Sequence, residues 1–494
     1  MAVSRSLAFR ALLAIVLMAG YYAFALAISA ALLWVPYAEY EYLSRVDFRI
    51  AAVCWGAALT ILWALVPRPD HFEPPGPQLT PESDPQLFAM IEDVAAATSQ
   101  QRPSEVYLLN EVNAWVSQRG GFMGFGSRRV MGVGLPLMTN MTTPELRAVI
   151  AHEFGHYCSG DVGIGPLIYK TRAAIARTLV GVDQTFLQSV FNWYARVFMR
   201  LTMAVSRQQE FVADETAARV AGAAPMVSAL RKVAMLGPAY VTYLQHEVLP
   251  VLRSGFIPPL AEGFERFMAS PETDQALQRM AEEYTTGTNT GEFDTHPPMS
   301  ERVAALELLP PASIPKTTDD IAPVVGDSER KGRELLERGV GSDSMRQFRD
   351  IQWKDVGTAV YAEIWKRMTA AHADWFGTTT IDQLPSGKRA YEDLGRMLRG
   401  KMDISSSEER IGSAVYMMTA GIGAALMRAG WRVETSPGRP LELTNGSARV
   451  NPRDVISRLV EDVNAFKEWK ETCDALGITG LQLRPSEDAA PAAT

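Results

Sequence analysis

No charged residue occurs between Ala11 and Ala38. That run exceeds the roughly 20 apolar residues that a helix needs to cross a bilayer. A second apolar run, Ile50 to Val66, is close to the minimum spanning length, and the link between them, Glu39 to Arg49, is short and charged. Trp34, Tyr37, Tyr40 and Tyr42 fall where an interfacial aromatic belt would lie. The pattern predicts a transmembrane helical hairpin over residues 1–70 with both ends on one side. Ala27-Ile28-Ser29-Ala30 resembles a cleavage site, so a removed leader is the alternative. The run is long for a leader, and the second run would remain. Arg5, Arg10 and Arg68 flank the hairpin ends, against Arg45 and Arg49 in the link, a slight bias toward both ends in the cytoplasm.

Beyond the hairpin, His71 to Pro85 carries five prolines and reads as a stiff linker. Leu87, Met90, Ile91 and Val94 then mark an amphipathic helix. Val106–Leu109, Asn113–Val116 and Val130–Leu135 read as short strands, with Gly120, Gly121, Gly124 and Gly126 in a loop between the last two. A proline-rich stretch, Pro310 to Val325, marks a boundary. The expected organisation is a hairpin anchor (1–70), a metallopeptidase domain (71–309), a linker (310–326) and an α+β accessory region (327–494). Ser413 to Met427 is too short to span comfortably and reads as a buried helix. Pro437-Gly438 and Asn445-Gly446 read as turns of a small sheet, and Asn451-Pro452 as the start of a helix. The net charge of −8 argues against nucleic acid as a partner. Three scattered cysteines cannot build a disulfide framework, and only six histidines are present, so a histidine-based site has few residues to draw on.

Two of those six define a metal motif. Thr142-Thr143-Pro144-Glu145 is a capping-box helix start with proline in the first turn. On the helix that follows lies His152-Glu153-Phe154-Gly155-His156. Histidines at i and i+4 share a helix face, so both imidazoles can reach one Zn2+, and Glu153 beside them can take a proton from the attacking water. A catalytic zinc needs a third protein ligand. Val162 stands where an extended motif would place a third histidine, so the ligand must come from elsewhere. Ser206 to Gly222 reads as a helix with Glu210 and Asp214 one turn apart. Glu210 could ligate zinc while Asp214 fixes a histidine tautomer. Read alone, the same pair could be a solvated acidic surface.

Thr143-Pro144-Glu145-Leu146 leading into Ala151-His152-Glu153-Phe154-Gly155-His156, then Ser206 to Glu210 with Ala213-Asp214, then His296-Pro297-Pro298 with Arg302, resembles the HtpX and CAAX prenyl protease family of zinc peptidases. Asn113-Ala114 and Gly134-Leu135 are similar to that family's upstream signature. The resemblance covers about Pro77 to Leu309. It implies a mainly α zincin-like domain with a small β-sheet and one Zn2+ per chain. By that resemblance His152, His156 and Glu210 are the zinc ligands and Glu153 is the catalytic base. Asp214 and Arg302 would support the ligands, and His296 would stand near the substrate carbonyl. The Asn113-Ala114 strand would be the edge with which a peptide substrate pairs. It also implies protein or peptide substrates; the expected location is a bacterial inner membrane, multi-pass, with the peptidase domain on the cytoplasmic side by the arginine bias of the hairpin.

The chain departs from that family in two ways. HtpX-like members have further spans between the metal motifs, whereas Lys170, Arg172, Arg177, Arg196 and Arg200 crowd this interval. The stripe Phe186, Leu187, Val190, Phe191, Tyr194, Val197, Phe198 and Leu201 could lie on a bilayer surface, cover the catalytic helix or pack in a core. The chamber of CAAX proteases has no counterpart, so prenylated substrates are not supported. The C-terminal region lies outside the family's core. Three functions compete: a zinc endopeptidase, an inactive zincin-fold membrane scaffold, and a zinc hydrolase of a non-peptide amide. The intact Glu153 speaks for the first.

Overall fold

The computed structural model describes residues 2–68, 70–121, 126–158, 165–182, 186–275, 277, 279, 297–310, 326–341, 347–399 and 405–484. The Gly124 part of the glycine-rich loop, the proline-rich stretch after Pro310 and the Gly287–His296 stretch lie outside the described residues. The protein is mainly helical with small sheets. It folds as two compact units, Met1–Gly237 with Gln278–Lys331, and Pro238–Leu277 with Gly332–Thr494.

The first unit begins with α1 (Ala2–Leu43) and α2 (Phe48–Leu65). Both are long and apolar enough to cross a membrane. Charges of the link make the turn: the Asp47 side chain accepts from the Arg49 N–H at 2.8 Å and caps α2, while the Glu39 carboxylate accepts from the Asp47 N–H at 3.1 Å. Leu12, Val16, Leu26 and Leu33 of α1 and Val53, Leu59 and Trp63 of α2 are exposed. The opposite faces pack against α6 (Gly165–Gly181) and the first half of α7 (Phe186–Ala221). Phe24 stacks on Tyr194 and meets the edge of Phe191, with ring centroids 5.3 and 5.5 Å apart. Leu187, Phe191, Tyr194 and Phe198 of the α7 stripe are therefore core packing with α1, whereas Phe186 and Leu201 at its ends are exposed. Several polar groups inside this bundle are matched. The Tyr194 hydroxyl donates to the Leu17 carbonyl at 2.7 Å, the Tyr21 and Thr178 hydroxyls lie 2.7 Å apart, and the Arg177 guanidinium donates to the Ala64 carbonyl near the end of α2.

The same unit holds a four-stranded sheet of order β1-β2-β4-β3: β1 (Gln78–Leu79), β2 (Glu105–Leu109), β3 (Ala114–Arg119) and β4 (Arg128–Gly134). β2 and β4 are parallel, and β3 runs antiparallel to β4 with Ala114 opposite Val133 and Val116 opposite Met131. β3 is thus an edge. Gly134 is required where β4 meets the turn before β3, because a Cβ there would lie 2.0 Å from the Glu111 carbonyl oxygen. The segment leaving α2 is fastened to the far end of β3: the Asp70 carboxylate accepts from Arg119 at 2.9 and 3.1 Å and from the Gly120 N–H at 2.7 Å. α3 (Pro85–Ala97) buries Leu87, Met90, Ile91 and Val94, the face that the spacing predicts. α4 (Leu135–Asn140) leads into α5 (Thr143–Cys158), which carries the first metal motif. α8 (Ala223–Tyr243) follows α7.

The second unit has its own apolar core around the Ser407–Arg428 helix. Gly421 and Gly423 let the rings of Phe376 and Trp365 lie directly against that helix. A Ser406–Glu409 capping box starts it. Strands Arg432–Glu434, Glu442–Asn445 and Ala448–Val450 form a small antiparallel sheet, with Asn445-Gly446 in its hairpin turn. The Asn451 side chain accepts from the Arg453 and Asp454 N–H groups and caps the Pro452–Glu461 helix.

Candidate metal centre

The start of α5 is fixed by reciprocal capping. The Thr142 N–H donates to the Glu145 carboxylate at 2.8 Å, and the Glu145 N–H to the Thr142 hydroxyl at 3.4 Å. The same carboxylate accepts from Lys232 and Ser228 of α8, both at 2.6 Å. Further along, α5 and α7 touch at Gly155 and Ala213, where a Cβ on Gly155 would come within 2.7 Å of the Ala213 Cα. Two small residues therefore let the helix axes approach closely. Each sits beside its motif: Gly155 between Glu153 and His156, Ala213 between Glu210 and Asp214.

Three side chains converge there. One ligand atom each from His152, His156 and Glu210 lies within 4.8 Å of the others. His152 Nε2 is 3.6 Å from Glu210 Oε2, and His156 Nε2 is 3.7 Å from Glu210 Oε1. Ligands on a tetrahedral zinc with bonds near 2.0–2.1 Å are about 3.4 Å apart, so the donor set fits that ion in both chemistry and spacing. Among the described residues no other trio of histidine, cysteine or carboxylate groups converges in this way.

Behind the ligands stands a charge-paired scaffold. His152 Nδ1 lies 3.0 Å from Asp214 Oδ1, which leaves Nε2 to face Glu210. Arg302, on the Met299–Glu307 helix, donates to both oxygens of Asp214 at 2.6 and 2.8 Å and lies 3.4 Å from Glu210 Oε2. Asp214 and Arg302 are both buried. The guanidinium offsets two carboxylates and fixes both in orientation. Burial opposes charge on His152, but the hydrogen bonds it donates to Asp214 and Glu210 prevail and raise its pKa to about 9. Burial likewise opposes charge on Glu210, yet His152 and Arg302 hold it at about 2. These directions describe the side chains alone; a bound dication favours neutral imidazoles and the ionised carboxylate.

Glu153 is placed differently. Burial pushes its carboxyl up to about 7, with His152 acting against the rise. The backbone of Val116 on β3 also acts against the rise. One turn on, the Tyr157 hydroxyl donates to the Val116 carbonyl at 2.9 Å. Neither contact with Val116, nor the Gly155–Ala213 approach, is among the sequence expectations. A small residue inside each motif was the only available signal for the latter. Asn113 is exposed and its carbonyl accepts from the Gly134 N–H at 2.8 Å, while Ala114 begins the edge strand. His296 lies outside the described residues.

Residues 81–309 match peptidase family M48. Over those residues the chain is similar to HtpX-like members of that family. Relatives include Protease HtpX of Pseudomonas fluorescens, 26% identical over 36% of this chain and 57% of the relative. Protease HtpX of Acinetobacter baylyi is 29% identical over 36% of this chain and 58% of the relative. A Protease HtpX homolog of Sulfurihydrogenibium is 25% identical over 41% of this chain and 75% of the relative. The chain thus spans little more than half the length of the first two. No solved structure matches. The M48 region contains both histidines of α5, the carboxylates of α7 and Arg302.

Proposed function

We propose that this chain is a membrane-anchored zinc endopeptidase with a zincin-like domain. The observation that carries the reading is the convergence of His152, His156 and Glu210, with Glu153 on the same helix and Arg302–Asp214 behind. His152, His156 and Glu210 would hold Zn2+, which supplies Lewis acidity toward the scissile carbonyl and acidifies a water. Glu153, one residue from His152, takes a proton from the attacking water and returns one to the leaving amine. Asp214 fixes the His152 tautomer, and Arg302 holds Asp214 and Glu210 against rotation. The β3 edge beginning at Asn113 and Ala114 aligns the peptide backbone. His296 is proposed as a donor to the developing oxyanion, a role that rests on its sequence context alone. α1 and α2 would anchor the protein in a bilayer, with the peptidase domain on the cytoplasmic side.

The test is Glu153→Gln, which keeps size and polarity but cannot take a proton at neutral pH. Purified wild type should cleave casein, and a chelator should abolish the cleavage. The variant should bind zinc normally and lose nearly all turnover, on the order of 10³-fold or more. Turnover within a few-fold of wild type would remove Glu153 from its role. A wild type that binds zinc and cleaves nothing would favour the scaffold.

A further inference from the structure

β3 is an edge strand, and alternate residues of an edge strand turn their backbone N–H and C=O outward. Here the alternation can be assigned. The Gly134 N–H donates to the Asn113 carbonyl, so Asn113 and, by register, Trp115 and Ser117 bond inward to β4. Ala114 and Val116 therefore direct their backbone groups to the open side. The Ser104 N–H donates to the Arg129 carbonyl, which puts the outward groups of Arg129 toward β2, as the same register requires.

Ala114 and Val116, two of the outward residues, are treated differently. At Val116 the carbonyl accepts the Tyr157 hydroxyl of α5 at 2.9 Å. No such cover from α5 is seen at Ala114 among the described residues. Tyr157 is not free to swing aside. Its ring lies under the Arg129 guanidinium at 4.4 Å, and Arg129 is pinned by donating to the Gln101 carbonyl at 2.6 Å. The Val116 carbonyl therefore stays with Tyr157.

We propose that Tyr157 is a specificity-determining residue that closes the docking edge at Val116. A peptide strand can then donate a backbone hydrogen bond to the Ala114 carbonyl but not to the next outward carbonyl, two residues on. The enzyme reads a short stretch of extended backbone on this side of the scissile bond. This inference rests on the endopeptidase reading and adds the length of substrate that the site engages.

The experiment is an N-methyl scan. A peptide that the zinc-loaded enzyme cleaves is resynthesised with one backbone nitrogen methylated at a time, and kcat/KM is measured for wild type and Tyr157→Phe. Phenylalanine keeps the ring under Arg129 and removes only the hydroxyl. In wild type, methylation at the residue facing Ala114 should cost about tenfold or more, because a buried carbonyl loses its donor. Methylation two residues on, facing Val116, should cost less than about twofold. In Tyr157→Phe, with zinc content unchanged, that second position should become sensitive, and KM should fall for peptides long enough to reach it. Two sensitive positions in wild type, or an unchanged scan in Tyr157→Phe, overturns the proposal while leaving the peptidase reading intact. Because the wild-type scan decides by itself, a variant that fails to fold does not rescue the idea. If wild type cleaves no peptide, the endopeptidase reading falls and the proposal with it.

Discussion

The two halves of α7 do opposite work with one continuous helix. The first half buries Phe191, Ala195 and Phe198 against α1, in an interface of rings and methyl groups. The second half presents Glu210 and Asp214 to His152, His156 and Arg302, in an interface of ion pairs and short hydrogen bonds. Apolar burial is non-directional and scales with area, so the first half fixes where the helix lies. Ion pairs are directional and are costly when half-broken, so the second half fixes how individual atoms point.

The sharpest way to break that contrast is Arg302→Met. It leaves Asp214 and Glu210 buried without their cation, so stability of the metal-free protein should fall by about 3–5 kcal/mol. Zinc affinity should drop by about 10–100-fold, since the carboxylates lose their orientation. Chemical denaturation with and without zinc, together with a competition titration, checks both. Normal zinc affinity would mean that Arg302 is structural only. Phe198→Ala should cost a comparable or smaller amount, about 3–5 kcal/mol at most, by leaving a cavity against the hairpin. Its zinc affinity should stay within about twofold, because nothing directional near the ligands changes. A metal defect in this variant would show that the halves are not separable. The smallest effect belongs to the Glu145–Lys232 pair. Burial opposes charge on Glu145, but Lys232, Ser228 and the Thr142 N–H hold its carboxyl below the ordinary 4.5. The unfolded chain therefore binds the extra proton. The stabilisation is complete above about pH 5 and is lost as the pH falls through the lower, folded value. Glu145→Gln should destabilise by about 1–3 kcal/mol at pH 7, and the gap to wild type should narrow on acidification. A gap independent of pH between 7 and 3 would show that the charge contributes nothing.

Much of this architecture is legible in the sequence where a local rule has a single solution. The capping box at Thr142, the shared face of His152 and His156, and the Asn445-Gly446 turn each depend on neighbours a few residues away. The apolar stripe of α7 is legible as a stripe, but its partner is not. Periodicity says that Phe191 and Phe198 share a face, and nothing local says that α1 will meet it. The helix carrying Glu210 reads as beginning near Ser206, yet it starts at Phe186, because no residue between them breaks it. Tyr157 was missed for a related reason: its importance lies in a contact across 41 positions with a backbone atom, and backbone atoms leave no mark in a sequence.

The contact between Gly155 and Ala213 has a mechanical consequence. Any rocking of the two packed helices about that close approach would make it a pivot. Along α7, Glu210 lies about 4–5 Å from the pivot and Phe186 about 40 Å from it. A rocking motion of about 5° would carry Phe186 through roughly 3–4 Å but would shift Glu210 by only about 0.4 Å. The pivot would therefore demagnify disturbance: excursions of several ångströms among the apolar helices would arrive at the ligands as displacements of a few tenths of an ångström. In the reverse direction it amplifies, so that a sub-ångström adjustment of Glu210 would register as an ångström-scale swing at the far end of the helix.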